Sequence, residues 1–183
     1  MLVWIVVGVV VLILLIGIVQ FNRLVSLRNR VDNGWSQIDV QLRRRYDLIP
    51  NLVETVKGYA AHEREVFEEV AEARTRGMAA GSVGDQAQAE NQVTQGLRQL
   101  LAVAEAYPEL KANQNFLALQ EELTATESKI AYARQFYNDQ VMRLNTLIQS
   151  FPSNLIASAF HFTPREFFDI EDPARGPVQV DLS

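Results

Sequence analysis

The chain has no cysteine and only two histidines in 183 residues. Without cysteine there can be no disulfide framework, thiolate zinc site or cysteine nucleophile, and thiols give no reading of the redox compartment. The histidines do not complete a ligand set either. His62 lies in "AAHEREVFEE", which lacks the second histidine of H-E-x-x-H, and three residues before it stands Tyr59, not the glutamate of a di-iron Glu-x-x-His motif. His161 has no carboxylate nearby in sequence until Glu166. No metal and no cofactor are therefore expected.

Other signatures are missing too. There is no glycine-rich phosphate loop, no G-x-S-x-G elbow and no kinase signature. Glu63, Glu65, Glu68, Glu69 and Glu72 would spread over more than one face of a helix, interleaved with Arg64 and Arg74, as a solvated surface does. With no convergent nucleophile, base or ligand, the expectation is a protein that is not an enzyme. A pI near 5.1 and the lack of a groove-reading motif speak against nucleic acid as a partner.

What is present begins with "LVWIVVGVVVLILLIGIV", Leu2 to Val19, eighteen residues without a charge. As a helix this run is about 27 Å long, enough to cross the hydrocarbon core of a bilayer. Its valines and isoleucines are poor helix formers in water, but in lipid a backbone must satisfy its own hydrogen bonds. No lysine or arginine precedes the run and no A-x-A-like site follows it, so an uncleaved anchor is expected over a signal peptide. Trp4 suits an interfacial anchor. Arg23, Arg28 and Arg30 follow the run and predict, by the positive-inside rule, an N-terminus outside and the bulk of the chain in the cytoplasm. These membrane-proximal arginines are also placed to attract anionic lipid headgroups.

Beyond the anchor, Leu24, Leu27, Val31, Trp35, Ile38, Leu42, Ile49, Val53, Val56 and Ala60 recur at helical spacing, with Phe67 and Val70 further on. The reading is one helix running without a joint from the membrane to near Arg76, rigidly coupling anchor and body. "GMAAGSVGDQ", Gly77 to Gln86, is the expected turn, with Asp85 as cap. A second helix spans Gln86 to Ala106 and stops before Pro108. In the third, Phe116, Leu123, Ile130, Tyr137, Leu144 and Phe151 fall at intervals of seven, a coiled-coil-like seam. A short helix capped by Ser153 should end near Ala159, with Phe160, Phe162, Phe167 and Phe168 packed back on the bundle. The expected class is all-α: a transmembrane anchor over 1–22, a long-helix antiparallel bundle over 23–168, and a flexible tail over 169–183.

Arg43, Arg44 and Arg45 stand beside apolar positions, and buried arginines require partners. Glu121, Glu122 and Glu127 on the third helix are the expected supply; alternatively an arginine or Asn51 faces a groove that receives a partner. Pro50 sits in mid-helix, where it cannot bond the carbonyl of Tyr46. Because Leu42, Ile49 and Val56 hold their spacing across it, the reading is a kinked but continuous helix, not a restart capped by Asp47.

Four ordered segments, "RRRYDLIPNLVETVKGYAAHE", "LLAVAEAYPELKANQNF", "ARQFYNDQVMRLNTLIQSFPSNLIA" and the closing "FHF", strongly resemble the LemA family of bacterial membrane proteins over nearly the whole chain to about residue 168. The resemblance implies an N-terminal transmembrane helix in the bacterial inner membrane with a cytoplasmic bundle of long antiparallel helices; it does not imply an enzyme. Magnetosome-associated relatives are linked to organising membrane compartments, so by analogy the expected function is a scaffold that works on the lipid bilayer and self-associates. The alternative, resting on the Arg43 to Asn51 region as a groove, is an adaptor or sensor for a protease, transporter or small ligand. At His161 the family usually carries glycine, and the histidine speaks against a glycine-only backbone angle there.

Overall fold

The computed structural model describes residues 1–170, so the expected tail from residue 171 onward lies outside the described residues. Six helices account for most of them: α1 (Leu2–Lys57), α2 (Arg64–Ala79), α3 (Val83–Glu105), α4 (Pro108–Lys111), α5 (Gln114–Gln149) and α6 (Ser153–Ala159). Among the described residues there is no strand. The chain is all-α. The described residues fold as two compact units, Met1–Asp39 with Ala131–Phe167, and Val40–Ile130 with the described residues from Phe168.

In the first unit α1 begins as an apolar run with no partner on any side: the residues from Leu2 to Ile16 are exposed. By length and composition this helix can cross a membrane. Packing starts where the run ends. A Cβ on Gly17 would lie 3.7 Å from Ile156 of α6 and one on Gly34 would lie 3.3 Å from Tyr137 Cα of α5, which runs antiparallel; Leu24, Val31 and Ile38 of α1 are buried. Trp35 meets Tyr137 at 5.6 Å between ring centroids. The chain after α6 is strapped along the pair, because Asn145 Nδ2 donates to the Arg165 carbonyl at 2.9 Å while the Arg165 amide donates to Asn145 Oδ1 at 2.8 Å. The Arg165 guanidinium then reaches Asp32 at 3.1 Å.

The reversal into that strap corrects the expectation for His161, which has φ 55°. The Phe162 amide donates to the Ala157 carbonyl at 2.9 Å and the His161 amide to the Ser158 carbonyl at 3.3 Å. This pair of bonds is a Schellman motif, which demands a left-handed residue at the position His161 occupies. Histidine accepts that region more readily than most side chains, so the angle is kept without the glycine.

The second unit holds the rest of α1, α2 to α4 and the first half of α5. Here the expected first helix is too long. It ends at Lys57, and α2 starts afresh at Arg64 after two turns in which Ala60 is buried. Gly58 marks the break: glycine in a helix interior costs about 1 kcal/mol relative to alanine. The turn at Gly77 also moves, because α2 continues to Ala79 and α3 starts at Val83, capped by the Ser82 hydroxyl accepting from the Asp85 amide at 3.0 Å. Ser82, not Asp85, is the cap. Helices α2 and α3 form an antiparallel hairpin, and at Gly96 they approach so closely that a Cβ would lie 3.0 Å from Val70 Cγ2.

The sevenfold series of α5 is buried at Phe116, Leu123, Ile130, Tyr137 and Leu144, with Thr126, Ala133 and Leu147 also buried. Phe151 departs from it, lying past the helix end at 80% exposure. Of the four late phenylalanines only Phe168 is fully buried; Phe160 and Phe167 are 59% and 49% exposed. Ser153 is not a cap, since its hydroxyl donates to the Leu147 and Ser150 carbonyls.

Candidate functional site

Two groups of polar side chains stand out, one closed and one open. The closed group lies in the second unit around Arg45, which is 1% exposed. Arg45 Nη1 donates to Glu127 Oε1 at 2.8 Å and to Thr94 Oγ1 at 3.4 Å, while Nη2 pairs with Glu90. Glu90 is wholly buried and also accepts from the Tyr46 hydroxyl and, at 2.7 Å, from Gln86 Nε2. Gln86 reaches the Gly77 carbonyl at 3.2 Å as well. A Cβ on Gly77 would lie 2.5 Å from the Tyr46 hydroxyl, so glycine is what allows the ring into the cluster.

An ionised pair taken out of water persists only when its remaining donors and acceptors are satisfied. In this cluster the Glu90 carboxylate takes three donors and Arg45 is held between two carboxylates, while the buried Arg45 Nε has no hydrogen-bond partner among the described residues. The cluster holds four helices, α1, α2, α3 and α5, in register. Arg44, by contrast, is half-exposed and pairs with Glu122 at 2.6 Å. Arg43, Asn51 and Glu121 are exposed.

Pro50 belongs to the same neighbourhood. The helix α1 passes through it without interruption, so no restart at Asp47 occurs. The proline has no N–H for the Tyr46 carbonyl four residues back. Arg74 of α2 takes the missing donor's place, with Nε donating to that carbonyl at 2.8 Å.

The open group lies in the first unit, where α1 leaves the apolar run. A cleft of about 730 Å³ is bounded by Gln20, Arg23 and Arg30 of α1, by Arg143 and Thr146 of α5, and by the turn at Phe151. All three arginines are exposed, and among the described residues none makes an ion pair. Arg28 does not line the cleft; its guanidinium lies 5.3 Å from the Phe162 ring centroid. In the same unit burial raises the pKa of Tyr137, against the nearby Arg165 charge, and its hydroxyl donates to the Glu166 carbonyl at 2.9 Å. Among the described residues no group of three histidines or carboxylates could hold a metal ion.

The sequence pattern of the LemA family matches residues 34–182, most of the chain. The chain belongs to the LemA family. It is 27% identical to magnetosome protein MamQ 2 of Paramagnetospirillum magneticum, covering 86% of this chain and 67% of that protein. It is 24% identical to magnetosome protein MamQ of Magnetospirillum gryphiswaldense over the same shares. Protein LemA of Metamycoplasma hominis is 26% identical, covering 93% of this chain and 80% of its own.

Sequence reasoning found Arg45, Glu122 and Glu127 but missed Glu90, Gln86, Tyr46, Arg74 and Arg143. A signal for two of these was present: Glu90 and Gln86 lie seven residues before Leu97 and Val93, on the buried stripe of α3. A carboxylate on such a stripe requires a buried cation. Arg143 carried no signal, because its place in the cleft depends on the register of α1 against α5.

Proposed function

We propose that this LemA-family chain is a noncatalytic, membrane-anchored helical scaffold, which self-associates and organises or shapes the membrane or recruits partners to it. The observation that carries the reading is α1 itself: a wholly exposed apolar run continues in the same helix into the packed body. An exposed apolar surface of that length is stable only when lipid covers it. On this reading the anchor resides in the bacterial cytoplasmic membrane, with its N-terminus outside and the helical body in the cytoplasm, which the arginines after the run support. The likeness to two magnetosome proteins supports work on a membrane compartment. The adaptor reading through Arg43 to Asn51 draws less support, because Arg44 and Arg45 are engaged by Glu122, Glu90 and Glu127.

The test is the mass of the full chain in mild detergent, with crosslinking in native membranes. An oligomer in both is expected; a monomer that gives no crosslinks would end the self-association reading. Orientation is checked with single cysteines at Leu2 and Gly81. Only the Leu2→Cys protein should react with an impermeant reagent in intact cells.

A further inference from the structure

We propose that the cleft between α1 and α5 binds the phosphate-bearing headgroup of an anionic phospholipid, and that the α6 end of the first unit lies in the membrane interface. The proposal rests on the reading of the apolar run as a membrane span. Three observations converge on it.

The first is position. Val19 ends the apolar run, and Arg23 stands four residues later, about 6 Å further along the helix axis. The polar interfacial layer on each side of a bilayer is about 5–8 Å thick, so Arg23 falls at headgroup depth. Arg30 stands eleven residues past Val19, about 17 Å along the axis and beyond that layer, but side chains on α1 lean toward its N-terminus, which carries its guanidinium, like that of Arg23, back toward the membrane.

The second is charge. Arg23, Arg30 and Arg143 bring three guanidinium groups to one cleft, with no carboxylate bound to any of them among the described residues. This is the reverse of Arg45, whose charge is matched inside the protein. A phosphate offers the planar fork of arginine its preferred acceptor. Gln20 and Thr146 add neutral polar groups to the wall, and the buried Gln20 Oε1 has no hydrogen-bond partner.

The third is the apolar rim. Phe151, Leu155 and Phe160 are 80%, 61% and 59% exposed, on or beside an α6 that packs through Ile156 against Gly17 of the apolar run. Such side chains in water would be a liability; beside a span they meet acyl chains and headgroups. Phe151 lines the cleft itself, while Leu155 and Phe160 belong to the adjoining α6 segment. A basic cleft with this apolar flank receives a lipid headgroup and not a free phosphate, because the flank takes up the hydrocarbon that follows the phosphate.

Full-length protein in mild detergent, titrated with phosphatidylglycerol or with phosphatidylcholine and read by native mass spectrometry, tests the proposal. Phosphatidylglycerol should be retained preferentially. Arg143→Gln should weaken retention about fivefold, the effect of one positive charge at a membrane surface, and Arg30→Gln with Arg143→Gln about 25-fold. Arg28→Gln, outside the cleft, should change it less than twofold. Equal losses at Arg28 and Arg143 would reduce the cleft to a diffuse basic collar and overturn the proposal, as would equal retention of the two lipids. Displacement by millimolar glycerol phosphate as effectively as by the lipid would assign the site to a soluble phosphate and overturn the lipid assignment. Alkaline carbonate extraction of native membranes separates the two readings. A protein that resists extraction but shows no lipid preference loses the cleft and keeps the anchor; one that is extracted loses the anchor.

Discussion

Arg45 and Arg143 are the same residue in opposite circumstances. Arg45 is 1% exposed and lies between Glu90 and Glu127, so its charge is cancelled within the second unit. Arg143 is exposed in the first unit and shares its cleft with two more arginines. A buried charge must be matched by the fold or the fold fails, whereas an exposed charge is stable in water and stays available to something outside the protein. Arginine therefore builds the body at one place and, on the lipid-cleft proposal, meets the membrane at another. The two roles separate on measurement: changes at the first should move stability, and changes at the second should move lipid retention.

The largest expected effect is on the closed side. Glu90→Leu removes the carboxylate that takes Arg45, Tyr46 and Gln86 together, leaving the buried Arg45 guanidinium with Glu127 and Thr94 alone and taking one acceptor each from Tyr46 and Gln86. Breaking a buried pair from one side costs about 3–5 kcal/mol. Chemical denaturation of the full chain in detergent, followed by far-ultraviolet circular dichroism, should show a loss of that size. A change under about 1 kcal/mol would mean that the cluster contributes little, and the contrast with Arg143 would fail. Arg143→Gln should leave the same curve within about 0.5 kcal/mol, as exposed substitutions do.

A smaller effect tests how the second unit tolerates its proline. Arg74→Ala removes the donor that Arg74 supplies to the Tyr46 carbonyl in place of the N–H that Pro50 lacks, at a cost of about 1–3 kcal/mol. In a Pro50→Ala background the alanine restores the N–H, so the same Arg74→Ala change should cost clearly less. The double-mutant cycle reads the difference directly. Additive losses would show that Arg74 matters for another reason. The coupling makes Arg74 a supporting residue of α1, and its charge belongs with that of Arg45 on the closed side.

The helical spacing of apolar residues made the class, the antiparallel arrangement and most of the core legible, because burial imposes a period on the sequence. The limits of that signal are physical. The spacing in α1 continues past Gly58, so nothing in the period marks the break that places Ala60 in the core. Glu90 lies on a buried stripe, and a search for exposed acidic partners on the third helix passes over it. The Arg143 cleft and the Arg74 bond exist only once two helices are placed side by side, and neither has a local pattern. Pro50 was legible as a continuous passage, but the donor that replaces its N–H was not.

The smallest expected effect sits beside the open cleft and has the opposite sign. His161 holds φ 55° in the Schellman motif that turns α6 into the strap carrying Phe162 and Arg165. A left-handed angle costs an L-residue with a Cβ roughly 1–2 kcal/mol, and glycine escapes that cost while giving up more entropy on folding. His161→Gly should therefore stabilise the chain by up to about 1 kcal/mol in the same denaturation assay. Its imidazole makes no part of the cleft, so phosphatidylglycerol retention should stay unchanged. A destabilised His161→Gly protein would mean that the imidazole has a packing role outweighing its backbone strain. A stabilised protein with altered retention would mean that the turn, and not the three arginines alone, shapes the cleft for its lipid.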